Sequence, residues 1–214
     1  TVKAQFKTII IPVDFPVITG MVSPDSNTFP PQISIETPVN NTAYHVNSLQ
    51  LIFNVTAPQS RTAAFTIVQL VTYQADWMNK SVDIPVNEKQ VASFSLQFSN
   101  VPEGSHRIVI QAMGSGLYVE NSQEFSYKEF QIRSQSEISF TIDTKAPTVS
   151  ILEVQNVTTE QESPLSFTIN EPLSSSFYSL DEQQNITIQG NTTLSSLSVG
   201  KHNVTVYAYD LAGN

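Results

Sequence analysis

The 214-residue chain has no cysteine. That excludes a disulfide framework, a thiolate metal site and a thiol nucleophile, and it leaves stability to apolar cores, which is feasible at this length. Positive charge is also scarce. Ten Lys and Arg stand against 19 Asp and Glu, for a formal charge of -9, and no basic cluster occurs. Nucleic acid and anionic membrane surfaces, which need a basic patch, are therefore excluded as partners. Seven glycines allow few phosphate-cradling loops, and no Gly-x-Ser-x-Gly, His-Glu-x-x-His or phosphate-loop pattern is present. No apolar run approaches the roughly 20 residues of a membrane span; Ile9-Ile10-Ile11 ends at Pro12. Thr1 opens no signal-peptide pattern, so the chain is expected to be a mature start or an excised segment.

What is present is strand. Charged residues make up only 14%, and Ser, Thr and Asn fill much of the polar surface, as in secreted β-proteins. Period-two alternation runs through Leu49–Val55, Ile138–Ile142, Leu165–Ile169 and His202–Ala208, with Pro, Ser and Asn clusters between them. Only Val68–Met78 leaves room for a short helical turn. The fold class is all-β.

An internal repeat sets the organisation. Pro31-Gln-Ile33-Ser-Ile35 matches Pro147-Thr-Val149-Ser-Ile151, and Leu49–Asn54 matches Leu165–Asn170, both about 116 residues apart. Gly104–Ala112 matches Gly200–Ala208 at about 96. Two constant offsets imply one fold used twice, with roughly 20 extra residues in the first copy, between about Gln59 and Ser99. Even-spaced short strands at this size predict β-sandwiches. The expected order is an N-terminal strand and linker over 1–29, a first immunoglobulin-like domain with an insertion over 30–144, and a second over 145–214. Asp143-Thr-Lys-Ala-Pro147 forms the joint, stiffened by proline.

The stretches Tyr178–Asp181, Asn185–Leu194 and Gly200–Asn214, with the joint Asp143–Pro147, resemble the immunoglobulin-like tandem repeats of archaeal and bacterial cell-surface proteins. The resemblance covers about residues 145–214 well and 30–144 less closely. It implies an S-layer, stalk, filament or adhesin protein, with archaeal origin favoured by the glycosylation sequons.

Those sequons fall at Asn40, Asn54, Asn79, Asn156, Asn185, Asn191 and Asn203, against roughly three expected by chance. N-linked glycans on them would hydrate the strand faces and block lateral pairing. Asn54 and Asn203, within strand patterns, must then point outward. An extracellular, cell-surface location follows.

If the second copy follows the first, its last strand belongs beyond Asn214, so the second sandwich is predicted to lack that strand. The inward side chains of such a strand contribute about 1.5–3 kcal/mol each and its backbone pairs about 0.5–1.5 each. The total rivals a whole domain's ~5–15 kcal/mol. Three sources could supply it: residues following Asn214, an N-terminal strand from a neighbouring subunit, or that same strand folding back within the chain. The N-terminal stretch carries Val2, Ala4, Phe6, Ile9, Ile10, Ile11 and Val13 as candidate donor residues, and a neighbour's insertion would give a head-to-tail homopolymer.

No catalytic residue is predicted, and no cofactor. His106 and His202 occupy matching positions, as structural residues do, and His45 stands in a polar loop. Asp181-Glu182 and Glu160/Glu162 are neighbouring turn carboxylates rather than a glycosidase pair. Asp143 and Asp210 are weak calcium candidates, with Glu36 or Glu153 as further ligands; capping of their own turns is the simpler role. Tyr118, Phe125, Tyr127 and Phe130 are expected on an extra hairpin, with a carbohydrate platform as the alternative. Two functions fit: a structural subunit or segment of a surface filament, sheath or S-layer, assembled by exchanged strands, or an adhesin or carbohydrate-binding module of a larger secreted protein.

Overall fold

The computed structural model describes residues 21–22, 26–121, 126–153 and 161–214. Every regular element among them is a strand. In chain order these are β1 (Met21–Val22), β2 (Thr28–Phe29), β3 (Gln32–Thr37), β4 (Thr42–Tyr44), β5 (Leu49–Thr56), β6 (Gln59–Ser60), β7 (Ala63–Ala75), β8 (Val82–Lys89) and β9 (Val91–Phe98). There follow β10 (Gly104–Asn121), β11 (Ser126–Ile142), β12 (Val149–Glu153), β13 (Ser163–Ile169), β14 (Leu173–Leu180), β15 (Ile186–Ile188), β16 (Thr192–Leu194) and β17 (Val204–Asp210). The all-β reading holds. The chain divides into two compact units: Thr1–Asn41, Leu49–Phe98 and His106–Ser139 in the first; Thr42–Ser48, Ser99–Ser105 and Phe140–Asn214 in the second.

In the first unit β3-β5-β9 form one sheet and β1-β11-β10-β7-β8 the other. The alternation read at Leu49–Val55 becomes the core directly: Leu51, Phe53 and Val55 are fully buried, while Gln50 faces solvent. Phe53 stacks on Phe94 of β9 at 4.7 Å. The two sheets meet where Phe98 of β9 packs against Tyr73 and, edge-on, against Trp77.

The short turn allowed over Val68–Met78 is confined to its end, where the Met78 N–H donates to the Ala75 carbonyl at 3.0 Å; β7 occupies the span as far as Ala75. Register shifts between Val68 and Leu70 against β8, and opposite them between Met113 and Gly114 against β10, switch the inward parity of the strand. Buried residues then fall at Val68, Val71 and Ala75, a spacing that imitates a helical period. Gly114 sits in this irregularity because a Cβ there would lie 2.4 Å from the Pro58 ring, a close approach that only glycine permits.

The aromatic residues after Gly116 form no separate hairpin. β10 and β11 continue for 18 and 17 residues, and Tyr118 of one stacks on Phe130 of the other at 4.7 Å. Phe130 is fully buried, with its ring against Gly116, where a Cβ would meet it at 2.6 Å. Phe125 lies outside the described residues. The extra length of the first copy goes into longer strands, 13 residues in β7 against eight in its counterpart β14, and eight in β8 against three in β15.

The second unit contains β12-β13-β16 and β15-β14-β17, three strands each. They enclose Leu165, Phe167 and Leu194, with Tyr178, Leu180, Val204 and Val206 packed on them from the second sheet. This is a sandwich of immunoglobulin-like order. Strand for strand, β12, β13 and β16 repeat β3, β5 and β9, and β15, β14 and β17 repeat β8, β7 and β10. β11 has no counterpart among the described residues. Also in this unit, β4 runs parallel to Phe140–Ile142, with Tyr44 edge-on to Phe140.

Candidate functional site

The side chains that β17 turns inward are Val204, Val206 and Ala208, and all three remain only half-buried. Their equivalents on β10, Ile108, Ile110 and Ala112, are 0%, 0% and 1% exposed. The difference follows from strand count. β10 lies between β7 and β11, whereas among the described residues β17 pairs with β14 alone.

Among the described residues no strand pairs with the backbone of β17 on the side away from β14. The Asp181 N–H donates to the Asn203 carbonyl at 2.8 Å, so Asn203, Thr205 and Tyr207 direct their polar groups toward β14. In an antiparallel ladder successive residues alternate sides. Val204, Val206 and Ala208 therefore present N–H and C=O to the unpaired edge. The edge is about 17 Å long over Val204–Ala208 at ~3.4 Å per residue.

At its end Asp210 organises a turn. Its side chain is buried, and Oδ1 accepts the N–H groups of Ala212, Gly213 and Asn214 at 2.8, 2.7 and 3.0 Å, while Oδ2 accepts Asn214 Nδ2 at 2.9 Å. Burial alone would raise this carboxyl, but the donated hydrogen bonds from Asn214, Gly213 and Ala212 outweigh it and hold it below the usual aspartate range. Asn214 Nδ2 also donates to the Asp143 carbonyl at 2.6 Å, and Asp143 Oδ1 accepts the Lys145 N–H at 3.2 Å.

Carboxylate oxygens of Asp143, Glu171 and Asp210 lie within 4.8 Å of one another. Three such groups supply part of the 6–8 oxygens that calcium takes, and they are the residues that would hold a cation here. Glu171 is the ligand type that sequence reasoning missed. Of the two acids named in its place, Glu36 accepts the Asn54 amide at 2.7 Å, and the Glu153 side chain lies outside the description. Asp210 has both oxygens engaged by N–H donors that fix the shape of its turn.

The repeated histidines anchor a repeated corner. His106 Nδ1 is 3.1 Å from Asp76 Oδ1, and the Asp76 N–H donates to the Arg107 carbonyl at 3.0 Å. In the second copy His202 Nδ1 is 2.6 Å from Asp181 Oδ2, with the Asp181 N–H on Asn203. Each aspartate directly follows the strand that precedes the corner. The two lie 105 residues apart in sequence where the histidines lie 96 apart, so a search by constant offset passes over them. An Asp at the end of each apolar strand was the only available signal.

His202 also directs Nε2 at the Ser198 carbonyl, 2.8 Å away. With both ring nitrogens facing acceptors, the doubly protonated imidazolium is favoured. The Ser198 carbonyl and then Asp181 raise the His202 pKa, while His202 and then the Asn203 N–H lower that of Asp181. A raised histidine pKa adds stability that is full below the ordinary value of 6.5 and is lost as pH rises through the folded value. A lowered aspartate pKa adds stability that is full above 3.8 and is lost as pH falls through the folded value. His202→Ala is thus expected to lower Tm most between those two ordinary values and least in alkali. Thermal melts of both proteins across pH 3–10 (roughly, to bracket the two groups) check this; a Tm difference that stays constant across the series would contradict it.

Of the sequon residues, Asn40, Asn79, Asn185, Asn191 and Asn203 are exposed and Asn54 is half-buried. Asn40 and Asn191 also use their side-chain oxygens on backbone, accepting the N–H groups of Ser139 and Phe167 at 3.0 and 2.9 Å. Asn156 and the candidate donor residues Val2 to Val13 lie outside the described residues. No helix among the described residues is long and apolar enough to cross a membrane.

No protein-family model matches the chain. No curated protein matches it either. Among solved structures it is similar to the chicken CNTN1 FN1-FN3 domains, at 14% identity and a TM-score of 0.40, over 86% of this chain and 62% of that one. It is also similar to dimeric latent PorU from Porphyromonas gingivalis, at 11% identity and a TM-score of 0.30, over 88% of this chain and 18% of that one.

Proposed function

We propose that the chain is a structural segment of an extracellular cell-surface assembly of the archaeal or bacterial kind, a filament, sheath or S-layer, whose sandwiches are joined by strand addition. The observation that carries this reading is the half-buried row Val204, Val206 and Ala208 beside a backbone edge that meets no second strand among the described residues. A sheet edge with apolar side chains and free hydrogen-bonding groups is a template for another strand. The role is mechanical: layered sheets and a proline-containing joint carry load, and no catalysis is assigned.

The exposed sequon asparagines support the outside location, since glycans there would keep the remaining strand faces hydrated and unpaired. Peptides from native material that contain the exposed sequons Asn79, Asn185 and Asn203 are expected to carry added glycan mass; unmodified peptides at all of them would remove this support. Electron microscopy of native material tests the assembly itself, with a polymer or lattice expected and dispersed monomers at all concentrations contradicting it.

A second reading, an adhesin or carbohydrate-binding module of a larger secreted protein, draws on Tyr207 and Tyr209. Their rings are 41% and 45% exposed on the outer face of β17. Such rings can stack on sugar, and saturable glycan binding lost in Tyr209→Ala would favour this reading.

A further inference from the structure

We propose that Asn40 carries an N-linked glycan whose first sugar ring lies in the cleft between the end of β3 and β11, as a built-in part of the first unit. The inference rests on the glycosylation offered above in support of an outside location, and it gives one of those glycans a place in the fold.

The cleft is the first support. It is open, measures about 290 Å³, and has Ile35, Pro38, Val39 and Ile138 as its apolar lining. Pro38 and Ile138 are buried, but Val39 is 58% exposed. Glu36 and Glu137 line it as well. One oxygen of each is taken, Glu36 Oε1 by the Asn54 amide at 2.7 Å and Glu137 Oε2 by Arg107 at 3.2 Å. The other oxygen of each has no partner among the described residues and can accept a hydroxyl. A sugar ring has the same division, C–H bonds on its faces and hydroxyls around its rim.

The second is the state of the Asn40 amide. Asn40 lines the same cleft, and its Oδ1 accepts the Ser139 N–H at 3.0 Å. Asn41, at a φ of 58°, donates its own N–H to the Ser139 carbonyl at 2.7 Å. Two adjacent residues thus clamp both polar groups of Ser139 and fix the Asn40 side chain, while its Nδ2 stays unpartnered among the described residues. Glycosylation joins that Nδ2 to the anomeric carbon of an activated sugar phosphate. The carbon–oxygen bond to phosphate breaks with its electron pair, Nδ2 releases one proton, and the bond from Ser139 to Oδ1 is kept. Asn54 lacks this freedom, since its Nδ2 donates to Glu36.

The third is the tether. Ligand pockets span about 300–1,000 Å³, and an open cleft at the bottom of that range holds a free sugar poorly. A sugar attached at the rim has an effective concentration in the millimolar range without any further contact, and the clamped asparagine lowers the entropy lost on seating it.

The 214-residue chain is secreted from a host with N-glycosylation and also made in bacterial cytoplasm, without it. Trp77 belongs to the first unit, so melts followed by its fluorescence report that unit. Peptide mapping is expected to find glycan on Asn40. Asn40→Gln is expected to lower Tm by about 2–4 °C more in the secreted chain than in the bacterial one, because the bacterial pair records the loss of the Ser139 bond alone. Trimming the glycans to their first sugar should preserve the gain, and Asn79→Gln, on an exposed bend, should leave it untouched. Glycan on Asn40 with equal losses in both hosts, or a gain that vanishes on trimming, overturns the seat in the cleft. Glycan on other sequons with Asn40 bare overturns the proposal and leaves the outside location supported. No glycan on any sequon removes both.

Discussion

Phe53→Ala is expected to destabilise the first unit by about 3–5 kcal/mol. The ring is fully buried on the central strand of its sheet, between β3 and β9, and lies nearly parallel to Phe94 at 4.7 Å. Truncation removes its transfer energy, leaves a cavity that well-packed strands cannot collapse into, and orphans the stacked partner. Against the ~5–15 kcal/mol of a typical domain, that loss takes a large part of the unit's stability. The sole tryptophan makes the measurement selective. Trp77 packs on Phe98 and His106 within the first unit, so its fluorescence in a urea titration reports that unit. A lower midpoint with an unchanged slope is expected. A shift corresponding to less than ~1 kcal/mol, the scale of a surface substitution, would mean that Phe53 is not the centre of this core.

Asp210→Ala is expected to destabilise the second unit by about 2–4 kcal/mol. One carboxylate oxygen satisfies three consecutive backbone N–H groups and the other an amide. Charge-assisted bonds of this kind are stronger than neutral ones, and an unsatisfied buried donor costs about 1–3 kcal/mol. Gly213 is exposed and Ala212 half-buried, so water recovers part of the loss. Asp210→Asn keeps an acceptor and should lose less. Because the folded carboxyl is held below its ordinary value, its contribution is full above pH 3.8 and fades as pH falls through the folded value. Circular dichroism melts report it, while Trp77 fluorescence should hardly change. Equal stability of Asp210→Ala and the unsubstituted chain at neutral pH would show that the turn does not depend on this side chain.

Where side-chain period and strand geometry coincide, the fold was legible. Leu49–Val55 and Leu165–Ile169 alternate in sequence and in burial alike, and the matched runs Ile108–Ala112 and Val204–Ala208 became equivalent strands. The same match shows which inner residues of β17 are less buried than their equivalents on β10. Irregular register was not legible. In β7 a bulge between Val68 and Leu70 rewrote the alternation, and nothing local announces that Pro58 will sit over Gly114. Long-range polar partners were hidden for another reason. Asp76, Asp181 and Glu171 meet their partners only after strands distant in sequence are brought side by side, so spacing along the chain holds no trace of them.

Among the described residues one edge of β17 meets no partner strand, and amide hydrogen exchange in the 214-residue chain tests that most directly. In dilute solution the amides of Thr205 and Tyr207, which face β14, should be protected, as should Ile108 and Ile110 on β10. Those of Val204, Val206 and Ala208 should exchange close to unprotected rates and slow only when the protein assembles. Equal protection of all five β17 amides in dilute monomer would show that the sheet is already closed, and would contradict the account.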